Sequence, residues 1–98
     1  MLTLEITDQA EADIEEIYLF IAVESYQSYA ESFASKVFKT FDLLCHNPQM
    51  GTERTRSGEG VRFYPVDKVN IFYRAVNKRL QILRVHHRAM DSNRLRSQ

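Results

Sequence analysis

Apolar and polar side chains alternate from Leu2 to Ile6, the period of a half-buried strand. From Ala10 the period changes. Ala10, Ile14, Ile17, Tyr18 and Ile21 recur at the spacing of one helical face, and Asp8 with Glu11 offers a capping box at its start. Ser28 and Glu31 repeat the S-x-x-E signal before a second apolar face. That face is Ala30, Phe33, Ala34, Val37, Phe41, Leu44 and Cys45, running through His46. Asn47-Pro48 and Gly51 end it, because Pro lacks a donor and Gly accommodates the turn. The few residues between the two helices predict an antiparallel hairpin.

Residues 52–60 are polar with two glycines and read as a mobile loop. Val61–Val66 resumes as a strand, and Pro65 places it at an edge or a strand end. Asp67-Lys68 is a short turn. Val69–Val76 is apolar on both faces, which suits a central strand. Asn77-Lys78 is a two-residue turn with Asn suited to positive φ, and Leu80–His86 is the last strand. Residues 89–98 read as a polar, basic, fraying tail. The expected fold is a two-layer α+β domain in the order β-α-α-β-β-β: an N-terminal strand, an antiparallel helix hairpin, then a three-stranded antiparallel meander.

The chain has 98 residues, 44% of them hydrophobic and one of them Cys. This predicts a single domain over residues 1–98 and excludes general disorder and an intramolecular disulfide framework. The longest apolar run, Ile17 to Val23, is seven residues between Glu16 and Glu24, too short to cross a bilayer. The first residues carry no signal-like pattern, so a cytoplasmic protein with no membrane partner is expected.

The zero net charge hides an asymmetry. Residues 1–50 hold nine acidic and two basic side chains; residues 51–98 hold eleven basic and four acidic ones. Either the halves attract each other within the fold, or a basic surface is offered to an acidic partner.

Candidate chemistry is sparse. His86 and His87 are adjacent in a strand and leave opposite faces, which is poor geometry for one metal ion. His46 suits a helix C-terminus, Cys45 belongs to an apolar face, and Ser57-Gly58-Glu59-Gly60 is a turn, not a phosphate loop. No metal and no cofactor is expected. One feature exceeds what a single core needs: Ala12, Leu19 and Val23 lie about 140–180° from the Ile14 stripe, with Phe20 on its flank. They are either scattered surface hydrophobes or a second buried contact.

Five strings carry a family resemblance: Ala12-Asp13-Ile14 with Ile17-Tyr18; Asn47-Pro48 with Gly51; Gly60-Val61-Arg62; Ile71-Phe72-Tyr73-Arg74; and Arg84 through Asp91. Together, across nearly the whole chain, they resemble the ParE/RelE superfamily of bacterial toxins. The closing H-x-x-M-D, His87 with Met90 and Asp91, looks like the ParE branch. The resemblance implies the toxin of a type II toxin–antitoxin module, inhibiting DNA gyrase by binding and neutralised by a ParD-like antitoxin. The alternatives are a RelE-like mRNA endonuclease acting on the ribosome, and an inactive remnant that binds only its antitoxin.

The resemblance also distributes roles. No catalytic residue is favoured; an endonuclease would use Arg62, Arg84 and His87, the guanidinium groups matching phosphate bidentately. Zero net charge and the lack of a Tyr after His87 weigh against that reading. Arg84, His87, Arg88, Met90 and Asp91 are the expected target-facing residues, although Met90 and Asp91 have a local structural role as their alternative. Leu19, Phe20 and Val23 are expected in an antitoxin groove, with Arg74 and Arg79 attracting acidic antitoxin residues.

Overall fold

The computed structural model describes residues 1–90. Strand β1 (Thr3–Ile6) leads into helices α1 (Asp8–Glu24) and α2 (Gln27–His46), followed by β2 (Thr52–Glu53), β3 (Arg62–Val66), β4 (Val69–Val76) and β5 (Arg79–His87). The strands form one sheet in the order β1-β5-β4-β3-β2. β1 runs parallel to β5, and every other pair is antiparallel. The helix hairpin covers one face. This is the expected β-α-α-β-β-β layout with one short strand, β2, added ahead of the meander.

The core lies between the hairpin and that face. Ala10 and Ile17 from α1 and Val37, Phe41, Leu44 and Cys45 from α2 meet Val69, Ile71, Tyr73, Leu80, Ile82 and Val85 from the sheet. The helix positions are those that the helical period singles out. Leu83 is an extra residue in β5: Phe72 faces Arg84, but Tyr73 faces Ile82. The extra residue changes the phase of the strand, so Leu80 and Ile82 point inward, followed by Val85 and His87.

Both helix starts differ from expectation. Thr7, not Asp8, caps α1, its hydroxyl oxygen accepting the Ala10 N–H at 3.2 Å. The same hydroxyl donates to the Ile82 carbonyl at 2.8 Å, so the cap also fastens α1 to β5. The Ser28 capping box does not form. Only Ser25 and Tyr26 separate the helices, so α2 starts at Gln27 and Ser28 already lies inside its first turn.

Residues 52–60 are more ordered than a mobile loop. β2 pairs with β3, Thr52 opposite Phe63 and Glu53 opposite Arg62, and a 3₁₀ turn follows at Thr55–Ser57. β2 covers only the first half of β3 and leaves the Pro65 end as an edge, where a missing N–H is harmless. β4 is central, as its apolar character requires. Asn77 and Lys78 both have positive φ, the left-handed turn that Asn favours.

The junction between α2 and the sheet is locked by Tyr73. This phenol is fully buried; it accepts the Gly51 N–H at 2.8 Å and donates to the Pro48 carbonyl at 2.7 Å. A Cβ at Gly51 would come within 2.4 Å of the Tyr73 oxygen and 2.7 Å of the Phe63 carbonyl, so only glycine fits.

Candidate functional site

Of the three residues weighed for phosphate chemistry, Arg84 and His87 line one small pocket beside Asp13, and Arg62 is not part of it. Arg62 sits at the inner end of β3 and donates to the Gly51 carbonyl at 2.7 Å and to Glu53 at 3.2 Å. Its charge is spent on the α2–β2 connection. Arg84 lies beyond the end of β1 and grips Asp13 of α1 with Nε and Nη2, at 2.8 and 3.0 Å. His87 faces inward, 8% exposed, its ring edge-on to Phe20 at 5.7 Å, and its Nδ1 accepts the Ala89 N–H at 3.2 Å. His86 leaves the opposite face and meets Phe72. Among the described residues no three His, Cys, Asp or Glu side chains gather to hold a metal. No helix there is long and apolar enough to cross a membrane.

An apolar groove of about 570 Å³ lies at the loop end of the hairpin. Phe20, Ile21, Phe33, Val69 and His87 form its apolar wall, with Tyr29 at the mouth. Glu24 and Ser25 mark one end, the carboxyl terminus of α1, where no basic side chain stands. Lys36, Asp67 and Lys68 mark the other, with Lys36 and Asp67 paired at 2.9 Å. The groove is therefore negative at one end and mixed at the other, with an apolar middle. The sequence placed Phe20 in a groove; Ile21, Phe33 and Val69 read only as core positions there, because the hairpin opens where the two-residue link ends.

Leu19 and Val23 stand apart from this groove on the outer side of α1, 56% and 80% exposed. Phe20 is turned away from them, packed against the core. The single apolar patch expected from the three is thus two surfaces, an inner groove and an outer ridge. The basic candidates on the open sheet face are also engaged: Arg79 pairs with Glu5 at 2.9 Å, and Arg74 donates to Gln81 at 2.9 Å. Gln81 and then Arg79 hold the Glu5 carboxyl below its usual range by hydrogen bonding.

At the C-terminal end, Arg88 is exposed and its backbone N–H donates to the Lys68 carbonyl at 2.9 Å. Met90 is buried in the core cluster, which is its local alternative. Asp91 lies outside the described residues. Cys45 is buried and free, and burial pushes its thiol pKa up.

The sequence matches the profile of the ParE toxin of the type II toxin–antitoxin system parDE over residues 4–92. A search of curated proteins returns no match. Among solved structures, the chromosomal ParDE toxin–antitoxin system from P. aeruginosa is similar, with 25% identity and a TM-score of 0.76, over 89% of this chain and 96% of that one. The toxin–antitoxin complex RelBE2 from Mycobacterium tuberculosis shares the fold at 20% identity and a TM-score of 0.61, over 89% of this chain and 98% of that one. The matched span runs from the first strand through the last, and the chain belongs to the ParE toxin family of type II toxin–antitoxin systems.

Proposed function

We propose that this toxin acts by binding, with DNA gyrase as its target and a ParD-like antitoxin as its neutraliser. The observation that carries the reading is that Arg62 is committed to Gly51 and Glu53, while Arg84 and His87, which share one small pocket, are held by Asp13 and packed on Phe20. A ribonuclease needs a base or a cation cluster around one phosphate. Three groups each committed to a different structural partner do not supply it. The family supports the toxin role, and ParDE and RelBE2 relatives are toxin–antitoxin complexes.

The antitoxin's C-terminal segment lays an apolar face into the groove lined by Phe20, Ile21, Phe33 and Val69. Leu19 and Val23 extend that contact over the outer ridge, and acidic antitoxin residues approach Arg74 and Arg79. The target is met by the C-terminal end of β5, through exposed Arg88 and the partly exposed Arg84. The Phe20–His87 contact joins the two surfaces. A segment in the groove therefore lies against the start of the target-facing end, which accounts for neutralisation by direct competition.

The test adds purified protein to gyrase supercoiling with ATP and, separately, to a translating extract with mRNA cleavage mapped. Loss of supercoiling, reversed by antitoxin, is the expected result. Cleavage at codon positions would instead establish the ribosomal endonuclease, and no effect in either would leave an antitoxin-binding remnant.

A further inference from the structure

Helix α2 carries an outer face that the fold does not use. Ser35, Lys39, Asp42 and His46 recur at steps of four, three and four residues, the spacing of a coiled-coil seam, and all of them are exposed. Phe38 flanks the seam on one side and Leu43 on the other, 46% and 51% exposed. Lys39 and Asp42 enter no ion pair among the described residues, whereas Lys36 on the same helix does. Phe38 is held in place from beneath: its ring stands edge-on to buried Phe41, with centroids 5.4 Å apart.

On the Phe38 side, this face runs into a hollow of about 550 Å³ between α2 and β1. Met1, Leu2, Leu4, Phe38 and Cys45 supply its apolar lining, with Asp42 beside them. β1 is an edge strand, so nothing within the sheet covers Leu4, which remains exposed. The hollow shares no residue with the groove at the loop end of the hairpin. An apolar hollow, an exposed ring and two unpaired charges of opposite sign thus lie side by side on one helix.

We propose that this face binds a second copy of the chain, α2 lying antiparallel on α2 about a two-fold axis level with the Thr40–Phe41 peptide bond. That axis sets Lys39 level with Asp42 of the second copy, and Asp42 level with its Lys39. Both charges left unpaired in the monomer are thereby matched. A parallel pair would set Lys39 against Lys39 and Asp42 against Asp42, so charge selects the antiparallel arrangement. The same axis brings each Phe38 to the height of the other copy's Leu43, about 7.5 Å along the helix from its symmetry mate at a rise of 1.5 Å per residue. That height falls between Asp42 and Cys45, over the apolar hollow, so each ring seats beside β1 of the other copy. An acidic segment would match Lys39 and oppose Asp42, whereas a second copy answers both signs. The proposal is independent of the gyrase reading and of the loop-end groove.

A face this small belongs with interfaces under about 1,200 Å² in total, so the dimer dissociates on dilution. The test is sedimentation equilibrium of the purified full chain over roughly 5–500 µM, where the average mass should rise from monomer toward dimer. Lys39→Asp and Asp42→Lys, each at an exposed position, should each weaken association about tenfold or more, since the reversed charge meets its like at both symmetric contacts. The variant carrying both changes restores the opposite-charge pairs and should return to within about threefold of the unaltered chain. Phe38→Ala should weaken association about tenfold by emptying the hollow. A monomer at every concentration, a dimer indifferent to the single reversals, or a double variant as weak as the singles would overturn the proposal. A monomer whose single reversals weaken antitoxin binding would assign the face to the antitoxin and overturn it equally.

Discussion

Asp13 and Arg84 form a two-point ion pair, and the same carboxylate accepts the Val85 N–H at 3.0 Å. β1 stops at Ile6, opposite Ile82, so the rest of β5 has no neighbouring strand on that side. Asp13 takes over the ladder's role there. Asp13→Ala should therefore destabilise the protein by about 2–3 kcal/mol, since it strands a backbone donor as well as the guanidinium. Arg84→Ala should cost only about 1 kcal/mol, because the Val85 bond survives and the pair is partly solvated. Urea unfolding of both variants and the double mutant gives the coupling.

Tyr73→Phe removes the partner of the buried Gly51 N–H and of the Pro48 carbonyl. A loss of about 1–3 kcal/mol is expected. Gly51→Ala should be at least as harmful, because its Cβ meets the Tyr73 oxygen and the Phe63 carbonyl. The double variant should be less than additive, as one of the two clashes is then gone. Thermal unfolding of the three variants checks this.

Two of the groups with shifted pKa values bear on opposite ends of the pH range, with the raised Cys45 thiol adding to the alkaline side. Burial raises the Tyr73 phenol above 10.0, so the unfolded chain ionises first. That stability is complete below pH 10 and falls as pH rises through the folded value. Glu5 is lowered below 4.5, so its contribution is present above that pH and is lost as pH falls through the folded value. Stability measured against pH should decline at both ends, with Tyr73→Phe flattening the alkaline limb and Glu5→Gln the acid one.

Leu19→Asp with Val23→Asp should leave the unfolding midpoint nearly unchanged, since both side chains are exposed. Affinity for the cognate antitoxin should fall more than tenfold if the outer ridge is part of the interface. Calorimetric titration against that antitoxin within twofold of wild type would confine the interface to the inner groove.

Cys45 is 3% exposed with a raised thiol pKa. Native protein should react with a thiol reagent only through opening of the fold. The labelling rate should follow the global unfolding equilibrium in increasing urea, and it should rise in Tyr73→Phe.

Much of this architecture was legible residue by residue. The period change at Ala10, Pro48 with Gly51, Pro65 and the Asn77-Lys78 turn each report a local constraint that tertiary contacts leave intact. The misses arise where one residue serves two elements. Thr7 displaces Asp8 as cap because its hydroxyl also holds the β5 carbonyls. β2 is two polar residues with no alternation, and exists through β3 and the Arg62–Glu53 pair. The extra Leu83 reverses the phase of β5, so no simple alternation could place His87 inside or gather Phe63, Phe72 and His86 on one face. The candidate groove was visible only through Phe20, since its other walls carry an ordinary core signal.

The pairing of Thr3 with Arg79 and of Ile6 with Ile82 makes the first strand a neighbour of the last. A nascent chain therefore cannot close its sheet until β5 has emerged. The groove, which His87 of β5 helps to line, is incomplete before that moment. The wall that His87 supplies is complete only once β5 has paired back onto β1.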